Sequence, residues 1–172
     1  DKVEIASGGS YVIRFQDTGF WLAKYAARKG YHKPTGTIAL NYCNNLRIFR
    51  YAETLLAYAE LVGVEGVAEQ KGISAQQCLD MVRDRAFGDT NHRVAVNKQN
   101  IINENHYEFV GEGHRYYDVV RWGITEVLNV DNVPGINSAR TWKSHNKYVA
   151  IPQGDIDATK GTEFELKQNE GY

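Results

Sequence analysis

Arg115, Asp118 and Arg121 stand three residues apart in the segment HRYYDVVRWG. On a helix each such step advances about 300°, so the three share one side and the carboxylate can pair with a guanidinium on either flank. In the open, such a set would clamp an anion or move a proton. Embedded among Tyr, Val and Trp it reads as architecture, because removing one partner of a buried pair costs about 3–5 kcal/mol. Arg50 and Glu53 are read the same way. Upstream, Glu104, Glu108 and Glu112 recur at every fourth residue. Glycoside hydrolysis needs two carboxylates flanking a sugar bond. Spacing of four on one helix instead puts neighbours about 5–6 Å apart on a solvated or capping face, and no catalytic role is assigned. His106 and His114 straddle a glycine turn, while His32, His92 and His145 are isolated in loops. With only two cysteines, they do not make a metal site. Nothing in the sequence calls for a cofactor.

These residues must be positioned by helices. Leu46 to Val62 carries Ile48, Tyr51, Ala52, Leu55, Ala59 and Val62 at steps of three and four, with Phe49, Leu56 and Tyr58 widening the apolar face, and Gly63 closes it. Ser74 with Gln77 resembles a capping box for a helix over Ser74 to Ala86, whose inward stripe is Cys78, Leu79, Val82 and Ala86. The two helices form a hairpin. A third helix is expected over Val96 to Val110, capped by Asn97, and a fourth over His114 to Leu128, with Gly111 to Gly113 between them. Outside this body lie short candidate strands at Ser10 to Phe15 and Ile38 to Tyr42, and a helical turn within Trp21 to Arg28. Val130 to Ser144 reads as a loop, Lys147 to Pro152 as a short extended segment, and Gln153 to Tyr172 as a polar tail over the surface. In an antiparallel hairpin Cys43 and Cys78 are separated by on the order of 20 Å at 1.5 Å per residue, so both are expected as free thiols.

The chain of 172 residues, 42% hydrophobic, can bury one sizeable core. A net charge of −1 without a basic cluster argues against nucleic acid and against an anionic membrane surface. No apolar run approaches the roughly 20 residues of a membrane span. The opening DKVEIASGGSY is polar and lacks an initiator Met, which points to a piece of something larger. Eleven Tyr and three Trp suit either sugar stacking or a broad interhelical interface.

Three segments, in order, resemble the C-terminal part of the SusD/RagB family of outer-membrane nutrient-binding lipoproteins of Bacteroidetes. RIFRYAETLLAYAEL carries Arg50, Tyr51, Ala52, Glu53, Ala59 and Glu60. CLDMVRDRAFG carries Val82, Arg83, Arg85 and Ala86. EFVGEGHRYYDVVRWG matches the family signature through Glu108, Phe109, Gly111, Glu112, Gly113, Arg115, Asp118, Arg121, Trp122 and Gly123. YVAIPQGDI and the closing QNEGY are similar to the family's ending. Asn105 stands where the family usually has Arg, removing an ion-pair partner, and Glu170 replaces Pro, loosening a turn.

The resemblance implies a mainly α fold: a tetratricopeptide-like helical-hairpin body with irregular loops and short strands, the C-terminal fragment of a larger SusD-like fold. Residues 1–45 would be an irregular, loop-rich segment, 46–128 the helical body and 129–172 an irregular C-terminal segment, all parts of one domain. It also implies a non-catalytic, surface-exposed protein of the outer membrane, lipid-anchored through an upstream Cys, that binds oligosaccharides for a SusC-like TonB-dependent transporter. A peptide ligand, a glycoside hydrolase and a ligand-free helical scaffold stay open as alternatives. Sugar faces pack on aromatic rings, so the ligand contacts are expected among Tyr11, Trp21, Tyr25, Tyr31, Trp142 and His145, in irregular segments with polar neighbours such as Arg140 and Asn146.

Overall fold

Five α-helices organise the computed structural model, which describes residues 22–25, 43, 45–132 and 138–172. They are α1 (Tyr51–Gly63), α2 (Ala75–Phe87), α3 (Lys98–Glu108), α4 (Arg115–Trp122) and α5 (Gln153–Thr159). Short 3-10 helices occupy Ala23–Tyr25, Thr125–Leu128 and Ser144–Lys147. The described residues fall into two compact units, 22–116 and 117–172. The expected strands at Ser10 to Phe15 and Ile38 to Tyr42 lie outside the described residues. Among those described, β pairing is a single isolated antiparallel bridge, Val130 with Arg140. No described helix is long and apolar enough to cross a membrane.

The first unit is built on α1, which packs against both α2 and α3. Its core joins Leu55, Leu56 and Ala59 of α1 to Cys78, Leu79 and Val82 of α2, then to Ile101 and Phe109. Burying side chains such as Leu56 and Leu79 contributes about 1.5–3 kcal/mol each. α2 starts as its sequence dictates: Ser74 accepts from Gln77 N–H while the Gln77 side chain accepts from Ser74 N–H. Asn97 caps α3 by accepting from Asn100 N–H. Cys43 is exposed, Cys78 is buried, and both are free thiols.

Two boundaries differ from the sequence reading by more than a turn, and one glycine has a different role. α1 begins at Tyr51, not Leu46, because Arg50 is extended (φ −151°, ψ 161°); Leu46 and Ile48, at 78% and 83% exposure, do not join the core. Gly63 is needed for closeness rather than as a left-handed stop. A Cβ there would meet the Ala75 Cβ at 2.9 Å and collide with the Val96 side chain. The fourth helix ends at Trp122, since Gly123 takes φ +68°, and the expected continuation to Leu128 is a separate 3-10 turn.

In the second unit the tail is pinned by side chains. Gln168 Nε2 donates to Ile151 O at 2.9 Å, and its Oε1 accepts from Ile151 N–H at 2.9 Å. Asn169 Nδ2 donates to Val149 O and the Tyr172 hydroxyl to Tyr148 O. Residues 148–151 are therefore held by the side chains of Gln168, Asn169 and Tyr172, with no strand beside them among the described residues. The tail also contains α5, which the reading as a plain surface run did not foresee.

Candidate functional site

The α3–α4 connection concentrates the chemistry of the first unit. Gly111 (φ +77°) and Gly113 (φ +85°) take left-handed angles that fold the chain sharply between the helices. A Cβ on Gly111 would also run into the Leu22 side chain. This turn brings Glu108 and Glu112 toward Arg50, 58 and 62 residues away in sequence.

The three glutamates are not on a solvated face, as their spacing had implied, but in a buried ionic network. Glu104 accepts from Arg83 Nη1 at 2.5 Å. Glu108 accepts from Arg50 Nη1, and from Arg85 Nη2 at 2.5 Å. Glu112 accepts from Arg50 Nε at 2.7 Å and Nη2 at 2.9 Å, and from Lys24 Nζ at 2.5 Å. Arg50 also lies over the Phe109 ring, 4.7 Å from its centroid. Burial alone would push the Glu112 carboxyl up, but the hydrogen bonds from Arg50 and Lys24 outweigh it and bring the pKa down to about 2. Burial likewise opposes the Arg50 charge, and Glu112 with Glu108 more than offsets it, raising its pKa. A carboxylate held this far below neutrality is no proton donor near pH 7, and the hydrogen bonds of Glu112 commit it to Arg50 and Lys24.

Sequence reasoning paired the charged residues along single helices, whereas the strongest pairs cross between elements. Arg50 does not pair with Glu53. Glu53 Oε2 is buried without a hydrogen-bond partner among the described residues, 3.9 Å from His114 Nε2. Asp118 pairs with Arg121 at 3.4 Å, while Arg115 Nη1 is shielded from solvent and has no hydrogen-bond partner among the described residues. Lys24 was overlooked as a partner of Glu112; its place in a predicted helical turn was the available signal, but a contact spanning 88 residues leaves no local pattern. Among the described residues no group of three or more His, Cys, Asp or Glu could hold a metal ion.

A cleft of about 350 Å³ opens beside the turn, between Asn105, His106, Phe109, Arg115 and Tyr116. Of the aromatic residues expected to meet a ligand, Tyr11, Trp21 and Tyr31 lie outside the described residues. Tyr25 is half-buried in the first unit, its ring 5.3 Å beneath the Arg47 guanidinium. Trp142 and His145 share the second unit. Trp142 is half-buried and its backbone N–H donates to Asn129 Oδ1 at 2.6 Å. His145 meets Tyr172 edge-on at 4.8 Å, and Gly171 leaves so little space that a Cβ would lie 2.6 Å from the His145 Cβ. The tail thus fixes the His145 ring.

Comparison with known proteins gives this geometry a context. The sequence profile of the SusD family matches residues 9–172. Surface glycan-binding protein A from Bacteroides fluxus is 54% identical, with a TM-score of 0.81, over 97% of this chain and 35% of that one. The structure of surface glycan-binding protein A from Bacteroides thetaiotaomicron in complex with laminarihexaose is 43% identical, with a TM-score of 0.76, over 94% of this chain and 33% of that one. SusD-like protein P25 of Formosa agariphila is 33% identical over 91 residues, 49% of this chain and 16% of that protein. The chain spans about a third of the length of these solved relatives.

Proposed function

This chain belongs to the SusD family, and from that premise we propose that the protein carrying it is a non-catalytic, surface-exposed binder of oligosaccharides. In this reading it is held to the outer membrane by a lipid anchor and passes its ligand to a TonB-dependent transporter. The observation that carries the reading is the 54% identity, across 97% of the chain, to a surface glycan-binding protein. A relative 43% identical has been solved with laminarihexaose, which makes laminarin-type glucan the first ligand to test. The carboxylates support binding over turnover, since Glu104, Glu108 and Glu112 are all committed to Arg or Lys partners. Contact with the sugar falls to aromatic faces, for which Tyr25, Trp142 and His145, with Tyr11, Trp21 and Tyr31, are the proposed residues.

Calorimetric titration of the full protein with laminarihexaose, cellohexaose and a peptide library tests this, alongside a reducing-end assay for turnover. Laminarihexaose is expected to bind and to remain intact. Trp142→Ala or Tyr25→Ala is expected to weaken binding by about tenfold, the scale of one lost stacking contact. Binding of peptides without any glycan, or release of new reducing ends, would refute the reading.

A further inference from the structure

The α3–α4 turn does more than close its own ion network: it also holds the short turn that carries Tyr25. The 3-10 helix Ala23–Tyr25 is three residues long and makes too few hydrogen bonds to fix its own orientation. Its place is set from outside, at three positions. The Leu22 side chain lies against Gly111, where a Cβ would collide with it. Lys24 Nζ donates to Glu112 Oε1 at 2.5 Å and to Glu108 O at 2.7 Å. Arg47 Nη1 donates to Lys24 O at 3.4 Å, and the same guanidinium lies over the Tyr25 ring, 5.3 Å from its centroid.

These anchors differ in strength and in what they fix. Arg50 donates to both oxygens of Glu112, so that carboxylate is already immobile when Lys24 meets it, and the Lys24 bond locates the turn firmly. Gly111 gives the room for Leu22 to lie beside that bond, since any larger residue would push the turn away. Arg47 is exposed and its hydrogen bond is long, so its contribution is directional: a cation over an aromatic face sets the tilt of the ring. A sugar packs on one face of a ring, which makes a cation on the opposite face compatible with stacking. We propose that the α3–α4 turn is the seat of residues 22–25, with Gly111, Glu112 and Arg47 as positioning residues that set the Tyr25 ring for a sugar. The sugar contact rests on the proposed function; the seating of the ring does not. A ring off its seat binds only in the fraction of molecules where it has returned, and the apparent affinity falls by that fraction.

The test uses the full protein and two variants that leave Tyr25 itself untouched. Lys24→Gln removes the cation but leaves Glu112 to Arg50, and Glu112→Gln reaches the turn from the far side of the contact. Each is titrated with laminarihexaose, alone and on a Tyr25→Ala background. Each is expected to weaken binding by about fivefold in the parent and to add little to Tyr25→Ala, because it acts through that ring. Lys24→Arg, which keeps a cation beside Glu112, is expected to restore most of the loss. The fluorine spectrum of protein labelled with 3-fluorotyrosine, with residue 25 assigned by Tyr25→Phe, reads the seat without any sugar. The Tyr25 resonance is expected to shift or broaden in both variants, and Lys24→Gln serves should Glu112→Gln fail to fold. An unmoved resonance in a folded variant overturns the proposal. So does a loss of binding that adds in full to that of Tyr25→Ala. A resonance that moves while Tyr25→Ala leaves laminarihexaose binding intact refutes the sugar contact assigned to Tyr25 and leaves the seat standing.

Discussion

Glu112 offers the sharpest physical test of the network, because one carboxylate there faces two cations with almost no water between. Its side chain is 2% exposed, and its pKa falls from an ordinary 4.5 to about 2. At about 1.4 kcal/mol per pH unit, that difference corresponds to about 3 kcal/mol of folding stability. Water reaches the Lys24 side, 27% exposed, and screens part of that share, so about 2–3 kcal/mol is the expected figure. The sign follows from the direction of the shift. The folded pKa lies below the unfolded one, so the stabilisation is complete above about pH 4.5 and disappears as the pH falls through about 2. Other carboxylates titrate in the same window, so the parent protein alone cannot isolate the effect.

Glu112→Gln does isolate it. The amide keeps the shape and loses the charge, leaving Arg50 to Glu108 and Lys24 to the Glu108 carbonyl. Urea denaturation followed by tryptophan fluorescence, run at several pH values between about 7 and 2, gives the stability of both proteins. The variant is expected to be about 2–3 kcal/mol less stable near pH 7, with the gap closing as the pH approaches 2. A gap that stays constant with pH, or one below about 0.5 kcal/mol near neutrality, would show that Arg50 and Lys24 do not hold the Glu112 charge as the geometry says.

Further outcomes follow from individual contacts. Gly63→Ala is expected to cost about 1–3 kcal/mol in thermal unfolding, because its Cβ would drive α1 away from Ala75 and Val96; an unchanged midpoint would refute that close approach. Ser74→Ala, which breaks the capping box, should cost about 1 kcal/mol by the same measurement. A thiol reagent should modify exposed Cys43 at once and Cys78 only on unfolding, since burial both hides the Cys78 thiol and raises its pKa; rapid modification of both would contradict the packing of α2.

Local signals were legible in the sequence where local physics decided the outcome. Ser74 and Gln77 satisfy each other within three residues, and Asn97 caps α3 over the same span, so the pattern carries the structure by itself. The start of α1 was misread for the opposite reason. Leu46 and Ile48 continue the helical period, but Arg50 turns extended and delivers its guanidinium to Glu108 and Glu112 across the unit. The glutamate spacing was visible while its meaning was not. A step of four fixes which residues share a helix face and says nothing about what that face meets.

The same distinction bears on the family signature itself. EGHR reads as one motif, yet its parts answer to different physics. Glu112 is saturated by Arg50 and Lys24, and Gly111 and Gly113 serve the turn. Arg115, two residues past the second glycine, has a shielded Nη1 without a hydrogen-bond partner among the described residues. The contiguity of the motif in sequence therefore does not make it one unit in space: its glutamate belongs to an ion network that reaches back to Arg50 and Lys24, and its glycines belong to the turn that lets the glutamate arrive there.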